Sequence, residues 1–173
     1  MPAERLVFVD EMGSHIAMIP SHARSLRGTR ALGVAQRNRG SNVTTIAALG
    51  IEGIMTSFAF EGATDGMTFE VFVCEVLMPE LRAGQVVIWD NLGAHHRASV
   101  EVAVREAGCE VWFLPPYSPD LNPIEECFWK IKAWLRRCQA RSVDALVDAI
   151  GMGFERVSRS DVLGWFRHAG VVV

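Results

Sequence analysis

The chain has 173 residues, 50% of them hydrophobic, and a formal net charge of −3; it can bury a real core in one domain, and its overall charge offers no attraction to nucleic acid. No apolar run approaches the ~18 residues that span a membrane, and the N-terminal MPAERLVFVDE lacks secretory-signal anatomy, so a cytoplasmic protein is expected. Cys74, Cys109, Cys127 and Cys138 are scattered without a CxxC pair, which reads as reduced, mostly packed thiols and argues against zinc and disulfides.

Leu6-Val7-Phe8-Val9 opens a strand over about residues 5–11, an apolar run suited to burial on both faces that ends on Asp10. Glu11 follows and, by strand alternation, points to the opposite face. Residues 22–40 carry Arg24, Arg27, Arg30, Arg37 and Arg39 with no acid; interrupted by Gly28, Gly33 and Gly40, they read as an irregular loop or hairpin. VTTIAALG (43–50) and GIMTSFAF (53–60) are β-rich and joined by Ile51-Glu52, a hairpin link. A helix is expected over 67–83, with Phe69, Phe72, Val73, Val76 and Leu77 on its apolar stripe and Pro79 bending or shortening its last turn.

Val86-Val87-Ile88-Trp89 is a second buried strand, and it too ends on a carboxylate, Asp90. Val100, Ala103, Val104 and Ala107 mark a helix of about 97–107 that Gly108 terminates, and a strand from Glu110 to Leu114 is stopped by Pro115-Pro116. Ser118 to Pro123 is dense in turn formers and then opens a helix, with Asn122 as N-cap, Pro123 at the first position and Glu125 at the third. This helix runs to about 138 and buries Ile124, Phe128, Ile131 and Leu135; Trp129, Trp134 and Trp165 read as packing residues. Ser142 caps a further helix reaching Val157, and a last one runs from about Ser160 to Ala169. Residues 130–141 form a second acid-free basic segment, with Lys130, Lys132, Arg136, Arg137 and Arg141. Each basic residue alone is equally well a solvated surface charge.

Three strands joined by short links suggest an antiparallel meander, and two later strands reached through helices suggest parallel additions. The class is α/β, a mixed five-stranded sheet flanked by helices. Two strands ending in Asp and a helix beginning near Glu125 place three acids where a sheet edge would collect them, if the two strands are neighbours. Acids so gathered repel unless a divalent cation neutralises them, which points to Mg2+ or Mn2+. Taken singly, Asp90 fits a turn former in DNLG, and Glu125 fits a capping box with Asn122. GxSxG, HExxH and phosphate-binding glycine loops are absent.

FVDE, WDNLGAH and PPYSPDLNPIE resemble the three catalytic blocks of DDE transposases, most nearly the bacterial insertion-sequence branch of the mariner superfamily, and 34 residues separate Asp90 from Glu125 as in that group. The resemblance implies a ribonuclease H-like fold with the first and fourth strands adjacent, and Asp10, Asp90 and Glu125 as catalytic, metal-holding acids. It implies two metal ions about 3.5–4 Å apart, DNA cleavage followed by strand transfer, and DNA as partner. His95 matches the histidine that often follows the second acid, while His96 has no such match. Arg24, Arg27, Arg30, Arg37, Arg39, His95, Lys130 and Lys132 are the candidate DNA contacts. Relatives carry a helix-turn-helix region ahead of the catalytic domain; here the first catalytic strand opens the sequence, so that region is expected to be missing. That region would then be encoded in a separate or frameshifted reading frame, or lost, and a homodimer or a separately encoded DNA-recognition chain is expected as a partner beside DNA. Two other readings stand beside the transposase: a non-catalytic product that regulates a full-length transposase, and a nuclease of the same fold with a cellular substrate. A two-carboxylate glycosidase would leave the basic segments without a purpose.

Overall fold

In the computed structural model, which describes residues 1–34, 36–90, 97–116 and 118–173, five strands form one sheet: β1 (Leu6–Ser14), β2 (Val43–Gly50), β3 (Gly53–Glu61), β4 (Val86–Trp89) and β5 (Glu110–Phe113). Their order is β3-β2-β1-β4-β5. The β1–β2 and β2–β3 pairs are antiparallel, and β4 and β5 add in parallel. This is the mixed ribonuclease H-like arrangement, with the first and fourth strands side by side.

Strand alternation divides the core into two layers. Leu6, Phe8 and Met12 of β1 and Val86 and Ile88 of β4 face one cluster; Val7, Val9, Val87 and Trp89 face the other. The first cluster is closed by three helices, α3 (Pro123–Cys138), α4 (Val143–Glu155) and α5 (Arg159–His168). The second is closed by α1 (Gly66–Val71), its continuation, and α2 (Ala98–Glu106). β2 is buried along its whole length, as a central strand covered on both faces must be. Among the described residues no helix is long and apolar enough to cross a membrane.

The elements depart from expectation in two places. β1 runs on to Ser14 because β2 continues to pair with it as far as Ser14↔Val43. The helix expected over 67–83 is α1 followed by a π-helical turn, Phe72–Leu77, and a 3-10 turn, Met78–Glu80. Pro79 has no N–H to give to a helical ladder, and the segment closes with Leu81 N–H donating to Met78 O at 3.2 Å.

α3 and α5 are tied by a polar clamp. Lys130 donates to the Asp161 carboxylate and, at 3.1 Å, to the carbonyl of Arg156. Asp161 also accepts from Ser158 N–H at 2.8 Å while Ser158 Oγ accepts from Asp161 N–H, a reciprocal capping box. The Lys130 and Ser158 hydrogen bonds pull the Asp161 carboxyl down to about 2. Stability from this acid is therefore present above pH 3.8, its ordinary value, and is lost as pH falls towards 2. Lys130 is the larger cause of the shift, but the ion pair is partly exposed and screened by water, so its share of the stability is discounted. Asp161→Ala should cost about 1 kcal/mol and lower Tm by roughly 2–4 °C at pH 7. The difference should shrink in melts below pH 3; an equal loss at pH 2 and pH 7 would contradict this origin.

Candidate active site

The registers Leu6↔Val86, Val7↔Val87 and Phe8↔Ile88 set a constant offset between β1 and β4. Carried two residues past the last paired residues, the offset sets Asp10, in the middle of β1, opposite Asp90, the residue that follows β4; neighbouring parallel strands lie about 4.8 Å apart. Alternation also gives both the same face. Asp10 pairs across β1–β2 with Ala47, which belongs to the α3 side of the core, whereas Glu11 pairs with Ile46 on the α1 side. Glu11 therefore stands away from the other acids, as its place in the strand predicts.

Asp10 is held by two hydrogen bonds. Glu11 N–H donates to Oδ1 at 2.7 Å, and Asn122 Nδ2 donates to Oδ2 at 2.8 Å. Burial pushes the Asp10 carboxyl up to about 7; the Glu11 N–H opposes this, and the charges of Glu125 and then Asp90 add to it. Both other acids thus act on Asp10 across the mouth of the β1–β4 pair.

Asn122 is the residue that sequence reasoning misplaced. It precedes α3 with an N-cap backbone (φ −111°, ψ 96°), yet its side chain makes no capping bond. The amide reaches back to Asp10 and is 3% exposed. Among the described residues its buried Oδ1 has no hydrogen-bond partner. Without a side-chain cap, α3 opens on Pro123, which has no N–H, and Glu125 N–H donates to the Asn122 carbonyl at 3.1 Å; a 3-10 turn, Pro119–Leu121, leads into the helix. The Asn122–Glu125 capping box is accordingly absent. Glu125 is exposed in the first turn of α3. Its neighbour Glu126 turns the other way and meets His168 Nδ1 at 2.8 Å.

Among the described residues no group of three or more His, Cys, Asp and Glu side chains stands close enough to hold a metal ion. Carboxylates are hard oxygen donors, so Asp10, Asp90 and Glu125 fit Mg2+ or Mn2+ by chemistry and charge, and the charges of Asp90 and Glu125 reach Asp10.

The candidate DNA contacts separate into groups. Arg24, Arg27, Arg30, Arg37 and Arg39 are all exposed on an irregular segment, a loop rather than a hairpin, that leaves the far end of β1. Arg39 stands near enough to His15 to help lower its pKa, after burial. Lys132 is half-buried on α3. Lys130 donates to Asp161 and to the carbonyl of Arg156; its partner Asp161 lies 31 positions away, which no local pattern reveals. Arg141 donates to Ile16 O at 2.9 Å and anchors the base of the Arg-rich loop. His95 and His96, with the rest of 91–96, lie outside the described residues. Trp134 and Trp165 pack against the core as expected, but Trp129 is 74% exposed.

A family model described as DDE superfamily endonuclease matches residues 5–147. The fold is shared with solved structures of the Mos1 transposase. Its strand transfer complex is 17% identical with a TM-score of 0.73, over 97% of this chain and 51% of that one. The Mos1 paired-end complex with Mn is 17% identical with a TM-score of 0.71, over 96% of this chain and 52% of that one. The corresponding complex with Mg is 16% identical with a TM-score of 0.70, over 96% and 53%. The chain therefore spans about half the length of these Mos1 chains. No curated protein sequence matches it.

The raised Asp10 carboxyl makes a stability prediction. An acid at about 7 in the folded chain and near 3.8 when unfolded binds its proton more tightly in the fold, so stability falls as pH rises between those values. The full penalty applies above about pH 7. Without divalent cations, Asp10→Asn should raise Tm by roughly 3–6 °C at pH 8, the gain vanishing near pH 4. Asn122, with its unpartnered Oδ1, can turn to accept from the new amide. A Tm difference independent of pH would count against the assigned environment.

Proposed function

Because the chain belongs to the DDE superfamily of endonucleases, we propose that it cuts and joins DNA strands by metal-dependent phosphodiester chemistry, with Asp10, Asp90 and Glu125 holding the metal. The observation that carries this reading is the shared register and face of Asp10 and Asp90, with the Glu125 charge also acting on Asp10. The Mos1 complexes with Mg and with Mn support the choice of ion.

A pair of divalent ions at such a site supplies an activated water or 3′-hydroxyl and stabilises the leaving oxygen. The chain's own residues prepare the place. Glu11 N–H and Asn122 Nδ2 fix both oxygens of Asp10, so one ligand is oriented before any ion arrives. Glu125 comes from a helix end, a separate element from the two strands, and so can adjust its reach while the Asp pair stays rigid. No protein nucleophile is required. The exposed arginines of the loop grip phosphates without reading bases.

Nicking of supercoiled DNA in Mg2+ or Mn2+ should cease in excess chelator. Glu125→Gln should abolish it with Tm within about 2 °C of wild type, since no structural bond is lost. Glu126→Gln should leave nicking largely intact, because that acid serves His168. An active Glu125→Gln beside a dead Glu126→Gln would move the catalytic acid by one residue. Undiminished nicking in chelator would remove the metal reading, and wild type without cleavage would favour the regulatory one.

DNA binding should be weak, tolerant of sequence and steeply weakened by salt. Replacing Arg24, Arg27 and Arg30 together with Ala should reduce the magnitude of the salt slope, d log K/d log[salt], by about 2 to 3 on duplex DNA. Tight, salt-insensitive binding to one sequence would contradict it.

A further inference from the structure

Trp129 is a large apolar side chain that the core does not use. Residues three and four apart share a helix face, so Glu125, Trp129, Lys132 and Arg136 form one stripe on α3. The adjoining stripe, Ile124, Phe128, Ile131 and Leu135, is buried. Trp129 lines two grooves, of about 800 and 280 Å3, and Arg137 lines both. No acid among the described residues lines the smaller groove, which Arg136 and His22 also border. In the larger one Asp161 is held by Lys130 and Glu126 by His168, leaving Arg137 and Arg156 against Glu125.

We propose that the indole of Trp129 is a stacking platform for one unpaired DNA base beside the scissile phosphate, with the flanking phosphates on Arg136 and Arg137. The proposal rests on the DNA-cleaving reading above. Four residues along α3 place Trp129 about 6 Å from Glu125 along the helix axis, the span of roughly two nucleotides at 3.4 Å each. A base can reach an aromatic face only when it leaves the duplex, and a strand opened at Glu125 frees its terminal bases at that spot. Stacking on Trp is tolerant of sequence, and the arginines alongside supply the charge that tracks a backbone. A protein partner fits worse: Trp and Arg are enriched at protein interfaces too, but Lys, Glu and Asp are depleted there, and Glu125, Glu126, Lys130 and Asp161 line the larger groove with the indole.

The test measures binding by fluorescence anisotropy on the full chain, without divalent cations so that no cleavage intervenes. Two probes are compared: a blunt duplex, and the same duplex ending in a five-nucleotide single-stranded tail. Trp129→Ala should weaken binding to the tailed probe about tenfold and leave the blunt probe within about twofold. Trp129→Phe should stay within about threefold of wild type on both. Equal losses on the two probes, or none, would overturn the proposal. So would a dimer in sedimentation that Trp129→Ala dissociates while DNA affinity holds. If wild type nicks DNA and Trp129→Ala shows no selective loss, only the stacking role falls. If wild type neither nicks in metal nor prefers the tailed probe, the DNA-cleaving reading falls with it.

Discussion

Parallel pairing of β1 with β4 is the constraint from which the rest follows. The constant offset between the strands, carried two residues past Phe8↔Ile88, sets Asp10 of β1 opposite Asp90, just past β4, and alternation turns both towards α3 rather than α1. A slip of one residue in either strand would send one acid to the other layer. The register is secure because β1 and β4 are buried on both faces, where a slip would exchange whole sets of core side chains. Placing like charges at the end of so apolar a pair is costly, and the elevated Asp10 carboxyl records that cost.

Asn122 shows how the fold holds a repelling group in place. A helix start would ordinarily use such a side chain as its cap, worth about 1 kcal/mol. Here the amide is spent on Asp10, and the preceding 3-10 turn with Pro123 serves the helix instead. Local stability is given up for orientation of one carboxylate. Glu125, three residues on, remains exposed and uncommitted to any cap.

Much of this was legible in the chain. Apolar runs and helical periods located the strands and the faces of α3 and α4, because burial on one side leaves a period that needs no tertiary knowledge. The neighbour relation of β1 and β4 was different: nothing in either run specifies its partner, and family resemblance supplied it. Side-chain commitments over long distances were hidden for the same reason. Lys130 looked like part of a basic patch until Asp161 stood beside it, and Asn122 looked like a cap until Asp10 did. Trp129 read as a packing residue because it falls on an amphipathic helix, but a step of about 100° from Phe128 carries it past the edge of the buried stripe. The π-helical turn at Phe72–Leu77 keeps Phe69, Phe72, Val73 and Leu77 buried, and an ordinary helical period describes those positions equally well.

The central claim is that Asp10, Asp90 and Glu125 act together as one divalent-cation site. Calorimetric titration of Mn2+ into the chain at pH 7, in two buffers of different ionisation heat, addresses it without reference to turnover. An acid poised at about 7 must release its proton when a cation binds, so the observed heat should depend on the buffer. Asp10→Asn should bind at least tenfold more weakly and lose that dependence, and Asp90→Asn and Glu125→Gln should also weaken binding. Wild-type isotherms that are unchanged in all three variants would contradict the account.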